Sequence, residues 1–325
     1  MVKLGRNYTN CLIFDYLDKS EQPAVDKGEL DLASICMLAL SRAKQDIERQ
    51  IKVTRELGMG HVELDAAPPN PYLDFNAQRR QAIREVAQAH EVNLSINLSS
   101  SHEVESSVFG PQEDNRVTAV DLHKRCIQFA ADVGAKYVNM HPGSAPIHPE
   151  LKESTRLIHD SLLRSLVELG KFAGDLGLAL HLENNTAFEG VYSEVEDCLA
   201  IIKEARAQGA EVYFNFDIGN WLTRAYFAKK IPDPPEKVLE LIPPDFLKEL
   251  HLNDYALDEK MLNPPLHLGW GLLQRGNLQR YARLVKRKGV ETVVLETTLK
   301  NIAQVLDHEE LLKQESEYVR DIFEE

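Results

Sequence analysis

"YFNFDIGNW", residues 213–221, is the stretch on which the reading turns. Its first half is an apolar run suited to a buried strand. It then stops on a carboxylate, Asp217, and carries an amide, Asn220, three positions later. A buried strand that finishes on an acid is what a parallel barrel produces, because the chemistry of such a barrel gathers at the C-terminal ends of its strands.

Seven further runs of this kind recur along the chain: "CLIFDY" (11–16), "HVELDA" (61–66), "VNLSINL" (92–98), "KYVNMH" (136–141), "LALHLE" (178–183), "LKELHL" (247–252) and "TVVLE" (292–296). With 212–217 they make eight candidate strands. Several read as apolar on both alternating faces, as expected of parallel strands covered on both sides. Amphipathic stretches lie between them, and "RAKQDIERQIKVTREL" (42–57) predicts one helix with Ile47, Ile51 and Leu57 on its apolar face. Several helical patterns run into glycine before the next strand, as at Leu57-Gly58 and Val133-Gly134, which suits a left-handed helix end. Eight strand–helix units predict a (β/α)8 TIM barrel of the α/β class, occupying residues 1–325 as a single domain. An open doubly wound sheet would alternate in the same way. The chain, however, lacks a G-x-G-x-x-G after the first strand and a G-x-x-x-x-G-K-[ST], the usual nucleotide-binding reasons for such a sheet. The proline-rich segments 66–72 and 231–238 follow strands and read as loops.

The chain has 325 residues, 43% of them hydrophobic, enough for a sizeable core. The formal charge of −14 argues against a basic nucleic-acid or membrane surface, so nucleic acid is not an expected partner. Cys11, Cys36, Cys126 and Cys198 are scattered and read as reduced thiols. With neither a signal pattern nor a membrane-length apolar run, a cytoplasmic location is expected. The sequence is compatible with a homo-oligomer.

The strand ends carry His141, Glu183, Asp217, His251 and Glu296. From Glu183 to Asp217 and from Asp217 to His251 are 34 positions each, and Glu296 follows 45 later. Each step is about one βα unit, so the last four would project from strands 5 to 8 toward one point. Three carboxylates and an imidazole gathered there repel and lose hydration unless a cation joins them. Oxygen and nitrogen donors together suit Mn2+, Mg2+, Co2+ or Zn2+. One divalent ion per chain is expected, Mn2+ favoured, held by Glu183, Asp217, His251 and Glu296. Taken singly, each residue is more often a salt-bridge partner or a satisfied core polar group; the set of four points to a metal.

His141, facing this point, is expected to bond substrate. Glu63, on strand 2, is expected to line the pocket, and Asp254 to orient His251 or a bound water. Trp221, Trp270 and Phe188 are candidates for a wall against water. Loop residues His102, Arg224, Lys229, Lys230 and Arg275 are candidates for an anionic substrate group, with a solvated charge as the default.

"MHPGS" (140–144), "LENNTA" (182–187), "FDIGN" (216–220), "LHLND" (250–254), "LGWG" (268–271) and "LETT" (295–298) together resemble the xylose isomerase-like barrel superfamily. That superfamily includes sugar isomerases and epimerases, dehydratases and apurinic endonucleases. The resemblance covers about residues 40 to 320. It implies that the four strand-end residues are metal ligands and that Glu183 and Glu296 also act as an acid/base pair. The implied function is isomerisation or epimerisation of a sugar or related polyol, with proton transfer through a metal-stabilised enediolate. The alternatives are a metal-dependent dehydratase of a keto-polyol, an apurinic endonuclease-type phosphodiesterase, and a non-catalytic ligand-binding barrel. The endonucleases hold three zinc ions with further ligands, and this chain departs from them at those positions with Asn97, Asn220, Asn263 and Pro265. Asn220, unable to replace a ligating imidazole, is expected to bond a substrate hydroxyl. The departures favour one ion and a small-molecule sugar substrate.

Overall fold

Lys3–Asn7 (β1), and not the apolar run 11–16, supplies the first strand. The computed structural model describes residues 2–98, 108–110, 112–144 and 151–324; His102 lies outside them. Ile13–Tyr16 forms a tight helical turn instead of the expected strand. The cause is long-range. The Arg6 side chain is fully buried and pairs with Glu315 at 2.8 Å, with Thr297 Oγ1 accepting a second bond at 3.1 Å. A five-residue segment containing lysine, glycine and arginine has no local strand signature. Gly5 answers a close approach, because a β-carbon there would come within 2.7 Å of His61 on the neighbouring strand.

The other seven barrel strands fall within the apolar runs. They are His61–Asp65 (β2), Asn93–Asn97 (β3), Tyr137–Met140 (β4), Ala179–Glu183 (β5), Val212–Asp217 (β6), Leu247–Leu252 (β7) and Thr292–Glu296 (β10). Tyr255–Ala256 (β8) and Met261–Leu262 (β9) form a small antiparallel ribbon at the end of β7. The barrel is closed and parallel, in the order β1-β10-β7-β6-β5-β4-β3-β2.

The strands are not apolar on both faces. Val62, Leu64, Leu180, Leu182, Phe214 and Phe216 occupy one alternating face and join the hydrophobic core. The other face is polar and bonds to itself across the barrel, as where the Tyr137 hydroxyl donates to Glu249 Oε1 at 2.8 Å. Burying such groups is tolerable only when they are hydrogen-bonded, so each element must supply partners to the others.

The helix expected over 42–57 is two helices, Leu32–Gln45 and Ile47–Glu56. Asp46 breaks it by accepting the backbone N–H of Arg49 at 3.0 Å, the bond of a helix N-cap. Between β6 and β7 the chain makes only the short turns Ile218–Leu222, Thr223–Phe227 and Pro235–Leu241. Prolines 232, 234, 235, 243 and 244 disfavour a longer helix there. The four cysteines are free thiols. Among the described residues, no helix is long and apolar enough to cross a membrane.

Candidate metal centre

Glu183, Asp217 and Glu296 are the last residues of β5, β6 and β10, and His251 is the last but one of β7, so all four stand at the same end of the barrel. Asp217 and His251 are paired in register across β6 and β7. His251 Nδ1 lies 3.4 Å from Glu183 Oε2, 3.5 Å from Asp217 Oδ2 and 3.4 Å from Glu296 Oε1. Despite three oxygens so close, this buried nitrogen has no hydrogen-bond partner. Ligands held at about 2.1 Å from one tetrahedral ion are about 3.4 Å apart, so the spacing suits shared coordination better than hydrogen bonding. Glu183, Asp217 and His251 offer ligand atoms that all lie within 4.8 Å of one another, as do Glu63, Glu249 and His251 on the other side of the ring. The donor set therefore fits a divalent cation.

Neutral amides surround the carboxylates. Glu183 accepts from Asn139, from Asn215 at 3.1 Å and from Asn220 at 3.2 Å. Asn253 donates to Asp217 at 2.7 Å and to Glu296 at 3.2 Å, and Asn263 reaches Glu296 at 3.4 Å. Amides fix the oxygens in place and leave their charge intact for a cation.

The electrostatics show the conflict a cation would relieve. Burial pushes Glu183 up, but the charges of His141 and His251 and the bonds it accepts outweigh this and hold it down to about 2. Burial, reinforced by neighbouring acids, raises Asp217, and raises Glu296 well above the usual carboxylate range. Burial would lower His251, yet the charges of Glu183, Glu63 and Glu296 prevail and raise it well above 6.5.

His141 stands at the lip, with Nε2 3.6 Å from Glu183 Oε1. Asn220 lies in the first turn of the short helix Ile218–Leu222, whose cap is Asp217: Asp217 Oδ1 accepts the Asn220 backbone N–H at 2.6 Å while the Asn220 side chain reaches Glu183. Glu63 is fully buried and lies 3.3 Å from His251 Nε2, behind the ring. Asp254, expected near His251, does not join the cluster. Its oxygens accept backbone N–H groups of Tyr255 at 2.7 Å and of Leu272 and Leu273 at 3.0 Å. Burial pushes it up to about 7 against those three donors. Trp270 is half exposed and lines a cavity of about 610 Å³ with Leu257, Met261 and Lys300, apart from the four strand-end residues. Trp221 is buried against Phe216, and Phe188 packs with Tyr226 and Phe227. Arg224 and Lys229 both pair with Glu194.

Sequence reasoning missed Glu249, His181 and Tyr137, and among the asparagines Asn139, Asn215 and Asn253. A signal existed for two of them. Residues two apart on a strand share a face, so His181 accompanies Glu183 and Glu249 accompanies His251.

Residues 51–322 match the family described as xylose isomerase-like TIM barrel. Among solved structures, a putative xylose isomerase from Rhodospirillum rubrum ATCC 11170 is similar at 15% identity, with 99% of each chain covered and a TM-score of 0.71. D-psicose 3-epimerase from Clostridium cellulolyticum H10 is 14% identical, with 99% of this chain and 98% of that chain covered and a TM-score of 0.67. 3-Keto-D-glucoside 4-epimerase from E. coli is 13% identical, with 99% and 100% covered and a TM-score of 0.65. At such identities the likeness establishes the fold. No curated protein matches the sequence.

Proposed function

The chain belongs to the xylose isomerase-like TIM barrel family, and from that premise we propose that it is a metal-dependent isomerase or epimerase of a sugar or related polyol. The observation that carries the reading is His251 Nδ1, buried without a hydrogen-bond partner and facing three carboxylates at 3.4 to 3.5 Å. Glu183, Asp217, His251 and Glu296 would hold the ion, and Mn2+ suits this oxygen-rich set with a single nitrogen. When bound, it polarises the substrate carbonyl and the adjacent hydroxyl.

Glu183 and Glu296 then act as the acid/base pair. They come from β5 and β10, on either side of β6 and β7 in the barrel order, and so flank His251 from two directions. One removes the proton beside the carbonyl and the other returns a proton to a different carbon or face. Asn220 and His141, at the Glu183 side, bond substrate hydroxyls. The epimerases of similar fold support a sugar substrate, and the amide-lined site suits an uncharged polyol.

The test is a panel of ketoses, aldoses and polyols in deuterated solvent with Mn2+, Mg2+ or Co2+, read by NMR. Metal-dependent exchange of deuterium into a C–H bond beside a carbonyl is expected for at least one sugar. Exchange that is absent throughout, or unaffected by chelation, contradicts the reading.

A further inference from the structure

The back of His251 is as carefully built as its front. Nε2 lies 3.3 Å from Glu63 Oε1 and 3.8 Å from Glu249 Oε1. Both acids are fully buried. Asn7 donates to Glu63 Oε1 at 3.2 Å. Glu249 is clamped by the Tyr137 hydroxyl at 2.8 Å and by His181 Nδ1 at 2.9 Å. His181 stacks on Tyr137 with ring centroids 4.3 Å apart. Barrel interiors are ordinarily filled by branched aliphatic side chains. Two acids at the barrel axis need a reason, since buried charge is costly unless paired.

An imidazole supplies that reason. A neutral ring carries one proton, and it can ligate a cation only from the other nitrogen. Nδ1 faces Glu183, Asp217 and Glu296, so on its own the proton would settle on Nδ1 and close the ligand position. An acceptor behind Nε2 reverses this preference. We infer that Glu63 is a positioning residue which accepts the Nε2–H of His251 and thereby keeps Nδ1 open to the metal, with Glu249 closing the same side of the ring. The inference rests on the metal reading above. Glu63 and Nε2 are within hydrogen-bond distance but not aligned, and Glu63 Oε2 has no partner. This role differs from the substrate contact that its strand position suggested, because Glu63 meets the edge of the ring opposite the open ligand.

The experiment compares wild type with Glu63→Gln and Glu63→Leu. Mn2+ affinity is measured from the EPR signal of the free ion. The Nε2–H proton of His251 is followed by 1H–15N NMR in Mg2+-saturated protein. Outer-sphere partners of ligating histidines are typically worth about 10- to 100-fold in metal affinity. Glu63→Leu should weaken Mn2+ binding by about that factor. Glu63→Gln, which keeps an acceptor oxygen, should lose less. The Nε2–H resonance should be downfield and slow to exchange in wild type and move upfield in Glu63→Gln. That shift keeps the test decisive even where the leucine variant fails to fold. Wild-type affinity in Glu63→Leu, or an unmoved Nε2–H resonance in Glu63→Gln, overturns the inference while leaving the metal centre standing. A wild-type protein that binds no Mn2+ overturns both.

Discussion

The side-chain amide of Asn220 donates to Oε1 of Glu183 at 3.2 Å. The same residue gives its backbone N–H to Asp217, so one asparagine ties two strand-end acids together. It also explains an amide three residues after the acid: the first turn of the helix Ile218–Leu222 returns that position to the barrel mouth. Against the effect of burial, the charges of His141 and His251, with the bond from Asn139, hold Glu183 below the usual carboxylate range.

Glu183→Gln and Glu296→Gln separate ligand from base. Glutamine keeps a carbonyl oxygen for weak coordination and cannot take a proton near neutrality. With excess Mn2+ restoring occupancy, each variant should lose at least about 10²- to 10⁴-fold in turnover. One of them should still exchange solvent deuterium into substrate, because the remaining glutamate works its own face. Near wild-type turnover in either variant demotes that glutamate to a ligand.

The metal-free and metal-loaded proteins should respond oppositely to pH. His251 is raised by its acid neighbours in the metal-free protein. A raised histidine contributes stability that is fully present below its unfolded value and is lost as pH rises through its folded value. Metal binding needs His251, Asp217 and Glu296 free of protons, and all three retain them to higher pH than usual. The gap in melting temperature between Mn2+-saturated and metal-free protein should widen from about pH 6 to 9. A gap independent of pH counts against this account of the cluster.

Asp254→Asn should affect stability far more than metal content. The asparagine would turn an NH2 toward backbone N–H donors that the carboxylate now accepts from residues 255, 272 and 273. A buried unsatisfied polar group costs about 1–3 kcal/mol. Urea unfolding should show a loss of that order with Mn2+ stoichiometry unchanged. Loss of the ion with stability preserved would return Asp254 to the centre.

Glu315→Gln should be among the more destabilising single changes. It would leave the Arg6 guanidinium in a fully buried site without its carboxylate. Breaking one partner of a buried pair costs about 3–5 kcal/mol. The same carboxylate also accepts from Thr297, the residue after Glu296, and from the Leu266 backbone. A denaturation midpoint equal to wild type would show that the pair contributes little.

Seven strands and the four strand-end residues were legible because they depend on local pattern. Apolar runs ending in acids recur at a βα spacing, and strand ends share one side of a barrel. β1 was not legible, since Arg6 can be buried only through Glu315, which lies 309 positions away. Asp46 shows the same limit at short range, where a cap outweighs helical periodicity. The asparagines lay within legible strands, yet their donation to Glu183, Asp217 and Glu296 needed the closed barrel to be seen. Glu63 was legible as an inward residue, but the edge of His251 that it meets was not.

Metal stoichiometry of purified wild type and His251→Ala, by mass spectrometry of the bound ions, tests the central claim most directly. The account predicts about one divalent ion per wild-type chain and near-complete loss in a variant that remains folded, since removing one of four ligands weakens the site severely. Two or three ions per wild-type chain, none at all, or an undiminished ion in His251→Ala would contradict it.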